Sequence, residues 1–323
     1  MPSVDRPVVV VAYDDAELLD ISCLTSTFST AGDVGADPTY AVTLLTPGAR
    51  TITCRPGLRL EAHAALEQHT AAVDTLVVAG GLGSPAAAAD PVLVAHVRRL
   101  ARDARRVASV CTGAQVLAAA GLLDGRRATT HWRFAGDLAR AHPAVDVDPD
   151  PIFVRDGRVA TSAGVTSALD LALSFVDEDH GPVVARRVAR ALVTYLQRPG
   201  TQAQMSVHVA APAPGDDVVR RVVDHVAGHL DVDLGAAALA DRAGVSERHL
   251  TRLFRAHLGR TPAEYVRRAR TEAAAQLCAG TDVPLARVAA RCGFRSTETM
   301  RTAFLDVYGR TPSEHRRAFV TAR

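Results

Sequence analysis

Through the first two thirds of the chain, apolar residues come in short β-branched runs at positions 8–12, 41–45, 75–79 and 106–110. Between these runs, positions 18–31, 90–104 and 114–120 carry helical patterning. Strand and helix in alternation predict an α/β architecture, a parallel sheet covered on both faces. Periodic structure stops across 198–215, where Pro199, Gly200, Pro212, Pro214 and Gly215 cluster. That segment predicts a linker between an α/β domain at 1–197 and a second domain at 216–323. In the second domain the period becomes helical throughout. Leu250, Leu253, Phe254 and Leu258 share one face and leave Glu247, Arg248, Thr251, Arg252 and Arg255 outside. Further on, Met300, Ala303, Phe304 and Val307 form a matching stripe, with Thr297, Glu298, Arg301 and Thr302 pointing away from it.

These two stripes belong to a duplication. Phe254, then Gly259-Arg260-Thr261-Pro262 and Glu264, recurs 50 positions later as Phe304, then Gly309-Arg310-Thr311-Pro312 and Glu314. Each copy is preceded by a glycine-centred turn, Ala243-Gly244-Val245-Ser246 and Cys292-Gly293-Phe294-Arg295-Ser296. A short helix, a glycine turn, a serine able to cap the next helix and an arginine-bearing amphipathic helix predict a helix-turn-helix unit in each copy. Pro262 opens a run without breakers to about Gly280, read as one connecting helix. A stiff connector would set the two reading helices in successive major grooves, about 34 Å apart. The candidate DNA contacts are Ser246, Glu247, Arg248, Thr251 and Arg252 in the first copy. In the second they are Arg295, Ser296, Thr297, Glu298, Arg301 and Thr302. The alternative, a plain helical bundle with surface arginines, has no need of a glycine turn at the same place twice.

Charge follows the same division. Residues from 216 onward hold 18 Arg against 13 Asp plus Glu, a balance of +5, whereas 1–215 hold 19 Arg against 22 acids, a balance of −3. The whole chain's +2 therefore hides a basic second domain. All 37 basic residues are arginine, a bias that fits a GC-rich genome better than a binding requirement. No apolar run approaches the length of a membrane span and the start lacks signal-peptide character, so a cytoplasmic protein with no membrane partner is expected. Five cysteines, at 23, 54, 111, 278 and 292, form no CxxC pair and argue against a disulfide framework or a zinc site.

One cysteine stands in a chemically informative place. In Val107-Ala108-Ser109-Val110-Cys111-Thr112-Gly113-Ala114 a strand runs into Cys111, a glycine follows and a helix starts, the geometry of a nucleophile elbow. The following helix N-terminus is expected to lower the thiol's pKa and favour thiolate. Gly80-Gly81-Leu82-Gly83, after the strand at 75–79, would bring backbone N–H groups to the same sheet edge as an anion or oxyanion pocket. Asp20, after the first strand, is the candidate acidic neighbour. Against this stands the commonest fate of a free cysteine, a small buried hydrophobe.

Two resemblances sharpen the reading. Residues from about 217 to 320 resemble the AraC-type DNA-binding domain through Val288-Ala289-Ala290-Arg291-Cys292-Gly293-Phe294, Phe304 and Gly309-Arg310-Thr311-Pro312. Residues from about 5 to 195 resemble the PfpI-like domain of the class I glutamine amidotransferase-like superfamily. The motifs are Ser109-Val110-Cys111-Thr112-Gly113-Ala114, the run from Gly121 to Trp132 that contains Thr129-Thr130-His131, and Thr161-Ser162-Ala163-Gly164-Val165-Thr166-Ser167-Ala168-Leu169-Asp170. Within that superfamily the segment is most similar to isocyanide hydratases and to the sensor half of AraC-type regulators. In the hydratases a cysteine attacks the isocyanide carbon, an aspartate handles the proton and a threonine follows the cysteine. The resemblance thus implies Cys111, Asp20 and Thr112 as catalytic positions. Gly80, Gly81, Cys111, His131 and Thr166 are the candidate ligand-binding residues, although a lone histidine before Trp132 is more often a packing or hydrogen-bonding residue. Two departures stand out: Leu19-Asp20 is followed by Ile21-Ser22 instead of a Gly-Pro pair, and Thr112 occupies the place where peptidase-like relatives carry histidine.

Together these imply a flavodoxin-like, PfpI-like α/β domain joined to an all-α domain with two helix-turn-helix units. The function implied is transcriptional regulation through double-stranded DNA under a small-molecule effector. A homodimer, RNA polymerase as a candidate partner, and neither cofactor nor metal are expected. A cysteine-dependent hydratase or amidase-like enzyme and a thiol redox sensor are the alternatives.

Overall fold

A computed structural model describes residues 5–194, 198, 200, 204 and 216–320. The chain divides into two compact units, Met1–Gln204 and Met205–Arg323. The expected linker at 198–215 lies outside the described residues except at Arg198, Gly200 and Gln204.

The first unit is built on a seven-stranded sheet. Its strands are β1 (Arg6–Val11), β2 (Tyr40–Thr46), β5 (Ala64–Ala65), β6 (Thr75–Val78), β7 (Arg106–Val110), β10 (Phe153–Asp156) and β11 (Val159–Ser162), in the order β10-β11-β7-β6-β1-β2-β5. All neighbours pair in parallel except β10, which runs antiparallel to β11 at the edge. Two short pairs lie outside it, β3 (Ile52–Thr53) with β4 (Arg59–Leu60) and β8 (Arg127–Ala128) with β9 (Asp146–Val147). The near-continuous valines of β1 reflect burial on both sides, as a parallel sheet demands. Val8 and Val10 face α1 (Leu18–Asp33) and α6 (Ser167–Ala191) in a core with Leu24, Phe28, Leu171 and Phe175. Val9 and Val11 point the other way, into a core with Leu93 and Val97 of α3 (Pro91–Ala101) and Leu117 of α4 (Ala114–Ala119). Asp90 caps α3 by accepting the Val92 and Leu93 N–H groups, which starts that helix one residue later than the periodicity suggests. Beyond the expected elements come α2 (Ser84–Ala89), α5 (Ala135–Ala141), the β10–β11 hairpin and the long α6, which breaks direction at Gly181, φ +79°, just before Pro182.

The second unit is helical: α7 (Asp217–Gly228), α8 (Ala236–Ala243), α9 (Glu247–Leu258), α10 (Pro262–Gly280), α11 (Leu285–Arg291), α12 (Thr297–Tyr308) and α13 (Pro312–Val320). The repeated phrase is a set of helix signals. Gly259 and Gly309 end α9 and α12 in left-handed conformation, and Thr261 caps α10 in a reciprocal box with Glu264. Each copy buries its own core against α10. Leu239, Leu250, Phe254 and Tyr265 form one cluster with Val219 and Val222 of α7; Met300, Phe304 and Tyr308 form the other with Ala274, Cys278 and Val288. Among the described residues no helix is long and apolar enough to cross a membrane.

Candidate functional site

At the carboxyl edge of the sheet, β7 ends in Val110 and the chain turns sharply at Cys111, whose φ of +54° is a left-handed conformation that a non-glycine residue rarely adopts. A 3₁₀ turn, Cys111–Gly113, then leads into α4. This is the strand–turn–helix elbow expected from the sequence. Two glycines make room for it: a Cβ on Gly80 would lie 2.6 Å from the Cys111 Cβ, and one on Gly164 would lie 2.1 Å away. Asp20, fully buried in the first turn of α1, accepts the Gly80 N–H at 3.1 Å with Oδ2 and the Val165 N–H at 2.7 Å with Oδ1. Val165 is itself left-handed, φ +50°, which is strained for a β-branched side chain and serves to aim that N–H. The Thr112 hydroxyl closes on Gly81, accepting its N–H and donating to its C=O, both at 2.8 Å. From the other side the Thr130 hydroxyl donates to the Cys111 C=O at 2.8 Å.

Burial governs the electrostatics. It pushes the Asp20 carboxyl up to about 7, against the pull of its two backbone donors. Burial first, and then the Asp20 charge, push the Cys111 thiol up to about 12, more than the Thr112 backbone and hydroxyl contacts pull it down. The expected thiolate is therefore corrected to a protonated thiol. The helix after the elbow has only six residues, and burial, with the Asp20 charge second, dominates at the sulfur. The oxyanion pocket expected from Gly80 and Gly81 is also corrected, because their N–H groups are already donated to Asp20 and Thr112. His131 follows Thr130, but its imidazole accepts the Arg133 N–H at 3.3 Å and packs beside Trp132 and Phe134. The Thr166 hydroxyl accepts from Arg198 at 3.1 Å. Asp20, Cys111, Thr112, Gly80 and Gly81 are thus brought together, whereas the His131 and Thr166 side chains are engaged elsewhere.

In the second unit the faces expected to read DNA lie where the pattern put them, at the surface. Ser246 accepts the His249 N–H at 3.2 Å and Ser296 accepts the Thr299 N–H at 3.2 Å, capping α9 and α12. Ser246, Glu247, Arg248, Thr251 and Arg252 line one surface groove together with Arg255. Arg295, Ser296, Thr297, Glu298, Arg301 and Thr302 are all exposed. The arginines of these faces differ in readiness. Arg248 and Arg295 make no ion pair among the described residues, whereas Arg301 is clasped by Glu298 one turn back at 2.7 Å. Arg295 and Thr302 also border a cavity of about 870 Å³ shared with Arg267 and Arg270 of α10, two cations that the face pattern did not single out.

Comparison with known proteins agrees with both halves. Residues 6–178 match the model of the DJ-1/PfpI family. The chain belongs to the DJ-1/PfpI family. Residues 239–318 match a helix-turn-helix domain, so this DJ-1/PfpI protein carries an AraC-type helix-turn-helix module. The HTH-type transcriptional regulator CdhR of Pseudomonas aeruginosa is 34% identical over 75% of this chain and 72% of its own length. GlxA of Rhizobium meliloti, also an HTH-type transcriptional regulator, is 31% identical over 93% of this chain and 92% of its own. An isonitrile hydratase of Pseudomonas putida is 39% identical, over 42% of this chain and 58% of that enzyme. Among solved structures, a ThiJ/PfpI family protein from Pseudomonas syringae superimposes with a TM-score of 0.57 and 26% identity, covering 70% of this chain and 88% of that one.

Sequence reasoning missed several residues that shape the Cys111 turn. Gly164 and Val165 lie within the motif at 161–170, and one clears space behind Cys111 while the other holds Asp20. A glycine followed by a valine carries no local sign that both residues will be left-handed. Tyr13, whose hydroxyl donates to the Ala79 C=O at 2.6 Å, gave no signal beyond following a strand.

Proposed function

We propose that this DJ-1/PfpI-family, AraC-type regulator binds double-stranded DNA through α9 and α12 and senses a small molecule at the Cys111–Asp20 site. We place it in the cytoplasm, acting as a homodimer with RNA polymerase as its further partner. The observation that carries the DNA half is the duplicated glycine-turn module, each copy with its own buried core and an exposed arginine-bearing face. For the sensing half, support comes from an elbow that keeps nucleophile geometry while its thiol is protonated and its flanking glycine N–H groups are already bonded. Such a site is better suited to holding a ligand than to covalent turnover.

The hydratase reading retains Cys111, Asp20 and Thr112 in one place, and it is favoured by the proton that Asp20, near 7, can exchange at neutral pH. Fluorescence anisotropy against DNA from upstream of its own and adjacent genes, at two salt concentrations, tests the regulator. Tight and sequence-selective binding is expected. Binding that is weak for every sequence and erased by salt, together with isocyanide turnover lost in Cys111→Ser, would establish the enzyme instead.

A further inference from the structure

The start of the interdomain segment is tied to the turns that shape the Cys111 site. Arg198 donates its backbone N–H to Asp170 Oδ1 at 2.6 Å, its Nε to Asp170 Oδ2 at 2.9 Å and its Nη2 to Thr166 at 3.1 Å. Thr166 adjoins Val165, whose N–H holds Asp20. The Gly200 C=O accepts the Phe153 N–H at 3.3 Å, and a Cβ on Gly200 would lie 2.5 Å from the Phe153 ring. The Gln204 amide is saturated: Nε2 donates to the Thr130 and Pro149 C=O groups, each at 2.8 Å, and Oε1 accepts the Trp132 N–H at 2.8 Å. Its backbone N–H reaches the Asp150 C=O at 2.7 Å. Thr130 is the residue whose hydroxyl binds the Cys111 C=O. Thr130 alone therefore links Gln204 to Cys111, and the pair Thr166-Val165 links Arg198 to Asp20.

The two ends differ in what release would cost. Removing Arg198 would leave the buried Asp170 carboxyl without its counter-ion, which is strongly unfavourable. Gln204 makes only neutral hydrogen bonds, individually modest and replaceable by water. We propose that Gln204 is the releasable end of a latch between the Cys111 site and the interdomain segment, with Arg198 as its fixed end. A ligand that displaces the Cys111 carbonyl or the turn at Thr130 would free Gln204, the last described residue of the first unit. This rests on the sensor reading above and specifies how its signal leaves the site. The ligand must bind the unlatched form better, and by linkage unlatching must then raise the site's affinity for that ligand.

The test uses the full chain without DNA, and iodoacetamide as the probe at Cys111. Alkylation of Cys111 is expected to speed hydrogen exchange at the Trp132 and Gln204 N–H groups by about five-fold or more, leaving the Arg198 N–H protected. Reciprocally, Gln204→Ala and Gln204→Glu, the second keeping side-chain length but losing the donors, should each speed Cys111 alkylation. Unchanged exchange at Trp132 and Gln204, with unchanged alkylation in both variants, overturns the latch. Anisotropy on DNA separates the two readings: if exchange responds but DNA affinity is the same before and after alkylation, the latch stands and the sensor reading falls.

Discussion

Cys111 owes its position to neighbours that have no side chain. Gly164 has φ +94° and the Cys111 Cβ 2.1 Å from where its own would be, so Gly164→Ala meets both backbone strain and a direct clash. The expected loss is about 2 kcal/mol or more of stability in urea unfolding; a wild-type midpoint would show that the turn does not pack against the elbow. The thiol next to it should behave as a buried one. Alkylation of Cys111 is expected to keep accelerating with pH well beyond neutrality, because the thiol's pKa lies near 12. Asp20→Asn removes the second cause of that shift, and the rate at pH 8 should rise by about ten-fold for each pKa unit recovered. No change in that variant would show that the Asp20 charge does not set the shift.

At the scale of elements, the duplicated module behaves as two small cores sharing one helix. Phe254 and Phe304 are each fully buried in separate clusters. Truncating either to Ala is expected to cost about 3–5 kcal/mol. The double variant in thermal or urea unfolding should give the sum of the two costs, since the rings share no cluster. Helix α13 adds a pH dependence through His315, which is buried against Phe304 and lowered by burial from 6.5 to about 4. The unfolded chain binds the proton more tightly than the folded one, so stability is complete above about 6.5 and drains away as pH falls toward 4. His315→Phe should flatten the melting temperature of the second unit across that window. An unaltered slope would assign the acid sensitivity to other groups.

For the molecule as a whole, charge is partitioned by domain, with +5 from 216 onward and −3 before it. DNA affinity should therefore fall steeply with salt, as phosphate contacts by arginine require. Arg248→Ala is expected to lose about 1–3 kcal/mol of binding if it meets a base edge. Arg301→Ala should matter less in the same anisotropy assay, because its guanidinium must first leave Glu298. A larger effect at Arg301 than at Arg248 would show that the Glu298 pair does not hold Arg301 back from DNA.

Local patterning alone determined the alternating strands and helices of the α/β core, the repeated caps of the helical unit and the elbow at Cys111. In each case the signal is a period, a cap or a glycine read within one element. The hairpin at β10–β11, the length of α6 and the aim of Val165 toward Asp20 came only from the tertiary structure. So did the thiol's protonation, because a pKa depends on what buries the group and which charges face it across the fold. The glycine N–H groups at 80 and 81 teach the same lesson: sequence placed them at the right sheet edge, and only the packed structure showed them already bonded to Asp20 and Thr112.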